Sequence, residues 1–350
     1  MRAGFGRGRD FRISYRWPTF DRDAAILSGT LPKRKSRRIY SQNARFSRWK
    51  HELSAAYIVK FLIPDSIGGR ATLEDIHNHS VNFEKLDRPE NHTRIRLHTT
   101  VARIEHLGKP ENADYVQVTY LKDAKLWKLR ARAVVMAVGG WVNRRVVRDL
   151  PEEKHAAFEQ FLHSSTLVVN VAVTNWRFLY KLGLTGGRWF DGLGYFCNLR
   201  QQMVIGNYPP KLHPDAPTIL TLYVPFYELG KPAKEQVTQG RYKLYGTSFR
   251  EYERQIRETL TRVFGSSGFD AKRDIAGIIL NRWGHSIIVP VPGFMYGRNG
   301  EPPVREIAWK QFGRISFAHS EFEGGQSFGG AVTHAHRAIE EILEVVKVPT

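Results

Sequence analysis

Apolar residues along this chain follow two periods, and the places where one gives way to the other mark its elements. Residues 53–63 carry a helical pattern that Pro64 stops. Residues 93–104 alternate apolar and polar, as a strand half open to water does. Val116, Val118 and Tyr120 alternate likewise, and residues 126–131 answer them across a turn near Lys122 and Asp123. This predicts a meander of two or three antiparallel strands. Residues 133–138 are apolar throughout and end at Gly139 and Gly140, which predicts a parallel strand covered on both faces.

A second region begins near Thr166. Residues 167–173, 195–198 and 219–224 read as strands. Ser248 and Glu251 then have the spacing of a capping box, and Phe249, Tyr252, Ile256, Leu260 and Val263 share one helix face, up to Gly265. Strands followed by one long amphipathic helix predict an antiparallel sheet with a helix packed on it. The chain ends with an apolar run at 315–318, a glycine-rich turn, and a helix over 328–346 that keeps Ala331, Ala335, Ala338, Ile342 and Leu343 apolar. Strand, glycine turn and helix N-terminus in that order can aim backbone N–H groups at an anionic ligand.

Length changes the picture little: 350 residues predict two domains. Charge changes it more. The formal net charge is +19, yet residues 1–50 hold 14 Lys and Arg against 3 Asp, and the remaining 300 residues carry only +8. A nucleic-acid or other polyanion partner is therefore expected only through residues 1–50. That segment has no apolar period. It reads as a polyanion-binding tail, a disordered tail, or a non-native leader from a misplaced start or shifted frame. Its Gly4, Gly6 and Gly8 follow no strand and lack the GxGxxG spacing. No run reaches the ~18–20 apolar residues of a membrane span, and no secretory h-region is seen, so a cytoplasmic protein is expected. Cys197 is the only cysteine, which excludes an intrachain disulfide and cysteine-based metal sites. His77 and His79 lack an evident third ligand, and His334 and His336 point to different helix faces, so no metal site is expected.

Three blocks in order resemble the second half of flavin-dependent amine oxidoreductases, in particular the spermidine dehydrogenase-like branch. They are residues 86–106; Asn170 to Arg177 with Asn281, Arg282, Trp283, Gly284 and His285; and residues 312–338, which include Ser320, Glu321, Gly330 and Ala331. Together they span about 51–345. The resemblance implies an α/β chain of mixed α+β character. An incomplete doubly wound FAD-binding domain (51–165 and 305–347) is joined to an antiparallel sheet-and-helix substrate domain (166–304). It implies FAD as cofactor and a small amine or polyamine as substrate, with hydride passing from an amine carbon to flavin N5. Carried over by position, Val101 meets the adenine through its backbone, and Ala137, Val138 and Gly139 form the loop beneath the cofactor. Glu321 lies near the ribityl–pyrophosphate portion, and Phe328, Gly329, Gly330 and Ala331 approach the flavin pyrimidine edge. Trp283 and His285 face the isoalloxazine and substrate cavity.

The departures carry equal weight. The family opens on a strand–GxGxxG–helix unit that grips the pyrophosphate, and this sequence has no GxGxxG. The expectation is a truncated chain that binds FAD poorly or not at all, unless a separate polypeptide supplies the other half. A non-catalytic remnant and a basic-tailed polyanion-binding protein are the competing classes. Glu321 also reads as an ordinary strand-end carboxylate, His285 as a core histidine, and Tyr195, Phe196 and Trp176 as core.

Overall fold

The computed structural model describes residues 52–200 and 213–346, so the readings made for residues 1–50 lie outside the described residues. In chain order the elements begin with α1 (Glu52–Leu62), α2 (Leu73–Asn78), β1 (Thr99–His106), β2 (Val116–Lys122), β3 (Lys125–Ala131) and β4 (Val134–Met136). Next come α3 (Gly140–Val146), α4 (Glu152–Glu159), β5 (Leu162–Val173), α5 (Arg177–Leu182), β6 (Gly186–Arg188), β7 (Phe196–Leu199) and β8 (Thr218–Phe226). Last are α6 (Ala233–Gly246), α7 (Phe249–Phe264), α8 (Ala271–Asp274), β9 (Ile275–Val289), α9 (Val304–Trp309), β10 (Ile315–Phe317) and α10 (Phe328–Val345). The chain is thus mixed α/β. Its described residues divide into two units, one formed by 52–162 and 287–346, the other by 163–286.

In the first unit, β1, β2 and β3 form the expected antiparallel meander. The β2–β3 turn holds Asp123 and Ala124 at φ 52° and 57°, the two-residue turn whose twist suits a hairpin. The strand expected from residue 93 starts only at Thr99. Arg94 and Arg96 both reach one carboxylate: their Nε atoms donate to Asp87 Oδ1 at 2.8 Å and Oδ2 at 2.9 Å. His98 then turns the chain at φ 53°. The alternation at 93–98 reflects two arginines sharing a carboxylate, not a β-ladder.

β4 pairs with β10 in parallel, as the apolar run implied. Its cover is thinner than expected, since Met136 is buried while Val134 and Val135 are half-buried. The core beneath is aromatic. Phe158 packs on Phe317 with ring centroids 5.2 Å apart, and Phe161 packs edge-on to Phe322 at 5.7 Å. Lys154 of α4 is buried against the same group. Its Nζ donates to the Ile307 and Ala308 carbonyls at 2.7 and 3.2 Å, closing the C-terminal end of α9.

Burial pushes the Lys154 ammonium from 10.5 down to about 7. A depressed folded pKa makes the charged form the costly one. The stability present above pH 10.5 is therefore lost as pH falls towards 7, and the loss levels off below that. Relative to a Lys154→Met variant, the wild type should lose stability between pH 10 and 7. Urea unfolding at pH 6, 8 and 9.5 measures the gap, and a gap that does not change with pH would contradict this assignment.

In the second unit the strand order is β6-β7-β8-β5-β9. Leu167, Val169, Val171 and Val173 alternate along β5 and are no more than 1% exposed. They share a core with Leu220, Leu222 and Val224 of β8 and with Tyr252, Ile256, Leu260 and Val263 of α7. Phe249, expected on that buried face, is half-exposed, because it opens the helix before the sheet covers it. The capping box forms on one side only. Ser248 Oγ accepts the Glu251 N–H at 3.2 Å, but the Glu251 carboxylate turns to Arg254 and Gln255. A further helix, α6, was not expected. Its sequence is polar and only Val237, Gly240 and Leu244 are buried. Gly240 permits this packing, because an added Cβ would lie 2.9 Å from Phe226 Cβ.

Candidate functional site

The parallel register Ile315↔Val134, Ser316↔Val135, Phe317↔Met136 brings the C-terminal ends of β4 and β10 to one edge. The Ala318 N–H donates to Met136 O at 2.9 Å and extends the pair by one bond. Three segments leave from this edge. Ala137, Val138 and Gly139 form the strand-to-helix turn into α3. His319 opens a one-turn 3₁₀ segment, Ser320–Glu323. Ser327 then caps α10. In open α/β sheets this edge is where ligands bind.

Glu321 lies at the centre of it. Its side chain is buried, and Oε2 accepts the Gly140 N–H at 3.0 Å. An added Cβ at Gly139 would sit 3.2 Å from Glu321 Oε1 and 3.2 Å from the Trp141 ring, so a larger residue there would need these side chains to give by a few tenths of an ångström. The carboxylate thus ties the turn after β4 to the turn after β10. Residues 140 and 321 are 181 apart, and no local pattern pairs them.

At α10 the Ser327 hydroxyl accepts the Gly330 N–H at 3.0 Å, and Ser327 O accepts the Ala331 N–H at 3.1 Å. The N–H groups of Gly330 and Ala331 are therefore engaged within the chain. Ser327 went unremarked in the sequence, although a serine just before a helical run is a cap signal. Gly330 packs tightly, since an added Cβ would meet Glu323 Cγ at 2.9 Å. Gly329 faces open space, with nothing within 4 Å of an added Cβ. Ala331 and Phe328 lie on the exposed side of the helix. On the opposite side His334 is buried, as the different-faces reading required, while His336 is exposed. His334 Nε2 meets Glu323 Oε1 at 3.1 Å, and Arg337 Nε donates to its Nδ1 at 3.3 Å. Burial, then the Arg337 charge, lowers its pKa and favours the neutral ring. Among the described residues no group of three metal-ligating side chains occurs.

Val101 lies on β1, the edge strand of the meander, next to a bulge at Ala102 that shifts the register between Val101↔Tyr120 and Arg103↔Thr119. Val101 is partly exposed. Trp283 and His285 belong to the other unit, on β9. Trp283 is 56% exposed, and the His285 ring meets that of His163 edge-on at 5.4 Å. A cavity of about 430 Å³ in that unit is lined by Trp189, Tyr195, Tyr227, Lys243 and Arg262 among others, and by neither Trp283 nor His285. Cys197 is inert in the core, its thiol pushed up to about 12 by burial.

Among the described residues no helix is long and apolar enough to cross a membrane. No family model and no curated protein matches the chain. Among solved structures it is similar to cyclohexylamine oxidase from Brevibacterium oxydans IH-35A, at 17% identity over 71% of this chain and 48% of that one, with a TM-score of 0.49. It is similar also to wild-type putrescine oxidase bound to putrescine, at 18% identity over 70% of this chain and 48% of that one, with a TM-score of 0.46. The chain spans about half the length of these matched structures.

Proposed function

We propose that the chain carries the flavin-facing part of an FAD-dependent amine oxidoreductase of the spermidine dehydrogenase-like type, acting on a small amine or polyamine. The observation that carries the reading is the shared edge of β4 and β10, where the buried Glu321 carboxylate joins two strand-end turns beside the N-terminus of α10. The residues fit the flavin end of FAD. Gly329 leaves room for close approach, and a helix N-terminus favours negative charge on a ring beside it. They do not fit the pyrophosphate, for which this sequence has no GxGxxG. Residues other than these, on a separate polypeptide or a segment beyond this sequence, would hold it. When bound, FAD supplies the acceptor for a hydride from the carbon beside the amine nitrogen. This chain contributes backbone N–H groups and the positioning of the two turns.

Titration of the purified chain with FAD tests the reading. The flavin absorption band is expected to shift saturably, and the flavin to be lost on gel filtration. Gly329→Val should abolish the shift and leave the Tm within a few degrees of wild type, because the added side chain meets no protein atom near its Cβ. No spectral shift in the wild type would sink the assignment of the flavin edge. Stoichiometric FAD retained through gel filtration would show instead that the grip is complete.

A further inference from the structure

The sheet of the 163–286 unit has two faces, and only one is explained by the core. On β5 and β8 the core-facing residues are Leu167, Val169, Val171, Leu220 and Leu222. The opposite face carries a polar row in register. Asn198 of β7 pairs with Thr221 of β8, and Thr221 pairs with Asn170 of β5. Direct cross-strand partners point to the same side of a sheet, so these three side chains form one line. Arg200, two residues beyond Asn198, keeps the ladder register through its N–H to Ile219 O at 2.9 Å, and so lies on the same face.

The row is internally ordered. Arg200 Nε donates to Thr221 Oγ1 at 2.7 Å, and the Thr221 hydroxyl donates to Asn170 Oδ1 at 2.8 Å. Thr221 is fully buried. This relay holds the guanidinium by its Nε edge. Among the described residues no carboxylate pairs with Arg200. Asn198 is 4% exposed, yet neither its Oδ1 nor its Nδ2 has a hydrogen-bond partner. A buried carboxamide left unsatisfied costs about 1–3 kcal/mol, and here the unmet Nδ2 donor lies in the same row as a guanidinium that has no carboxylate partner among the described residues. One row further along the same face, Phe196 and Tyr223 are cross-strand partners with rings 6.0 Å apart, both half-buried.

We infer that this face is a binding site for a small carboxylate with an aromatic or apolar body. The Arg200 Nη edge and Asn198 Nδ2 take the carboxylate oxygens, and Phe196 and Tyr223 take the body. Planar two-point recognition is what a guanidinium fork provides and an ammonium does not. The site does not depend on FAD.

Phenylacetate is the probe, with phenylacetamide as its uncharged counterpart, both followed by two-dimensional NMR on the full chain. Phenylacetate is expected to give saturable shifts in Asn198 and Arg200 side-chain signals and to bind at least tenfold more tightly than phenylacetamide. Arg200→Lys keeps the charge and removes the fork, and should weaken phenylacetate at least fivefold while the amide spectrum stays folded. Asn198→Leu should weaken it similarly and raise the Tm, since the orphaned carboxamide is gone. Equal binding of the two probes, or unchanged affinity in Arg200→Lys, would overturn the assignment.

Discussion

Gly313→Ala is expected to destabilise the unit formed by 52–162 and 287–346 by about 3 kcal/mol or more. Gly313 stands at φ 51°, where a side chain meets the following carbonyl. Space is a second obstacle. An added Cβ would lie 2.6 Å from Pro110 O and 2.6 Å from His106 Nε2. The first is backbone and the second a ring held by two hydrogen bonds, so neither gives way cheaply. Because Gly313 lies two residues before β10, the strain would be relieved by shifting the strand that carries Glu321 to its place. Urea denaturation followed by tryptophan fluorescence gives the size of the loss. A midpoint within about 0.2 M of wild type would mean that this glycine is not required, since a shift of that order is a few tenths of a kcal/mol.

His106→Ala is expected to cost about 3–5 kcal/mol. The imidazole is buried between β1 and the start of β10. Its Nδ1–H donates to Asp149 Oδ2 at 2.7 Å, and its Nε2 accepts the Arg314 N–H at 3.1 Å, which sets the tautomer. Phe312 packs edge-on to the ring at 4.9 Å. Truncation leaves a cavity, a buried N–H and a carboxylate that loses one of its two donors, the His106 N–H at 3.0 Å remaining. A double-mutant cycle with Asp149→Ala should give a coupling above about 1 kcal/mol, within the range for residues in contact. Additive losses would show that the pair is adjacent without being linked. A cycle with Gly313→Ala is informative too. Removing the imidazole relieves one of the two clashes at residue 313 but leaves that with Pro110 O, so the double variant should be more stable than the sum of the singles predicts.

The amino-acid sequence determined the local elements of this protein wherever one face was apolar at a regular period. The α1 stop at Pro64, the β1–β2–β3 meander, the parallel character of β4 and the start of α10 at Phe328 follow from spacing and from residues with restricted backbones. Where polar residues occupied the pattern, sequence misled. Residues 93–98 alternate because two arginines serve Asp87, and α6 hides its narrow apolar stripe in a polar run.

Tertiary structure alone decided which residues meet. Glu321 acquires its meaning from the Gly140 N–H, and Gly313 from Pro110 and His106, partners about 180 to 210 residues distant. The polar row from Asn170 to Arg200 is likewise invisible along the chain, because its members sit on three strands. Hydrophobic periodicity records which face of an element is covered. It does not record register between strands, and register is what places a donor opposite an acceptor.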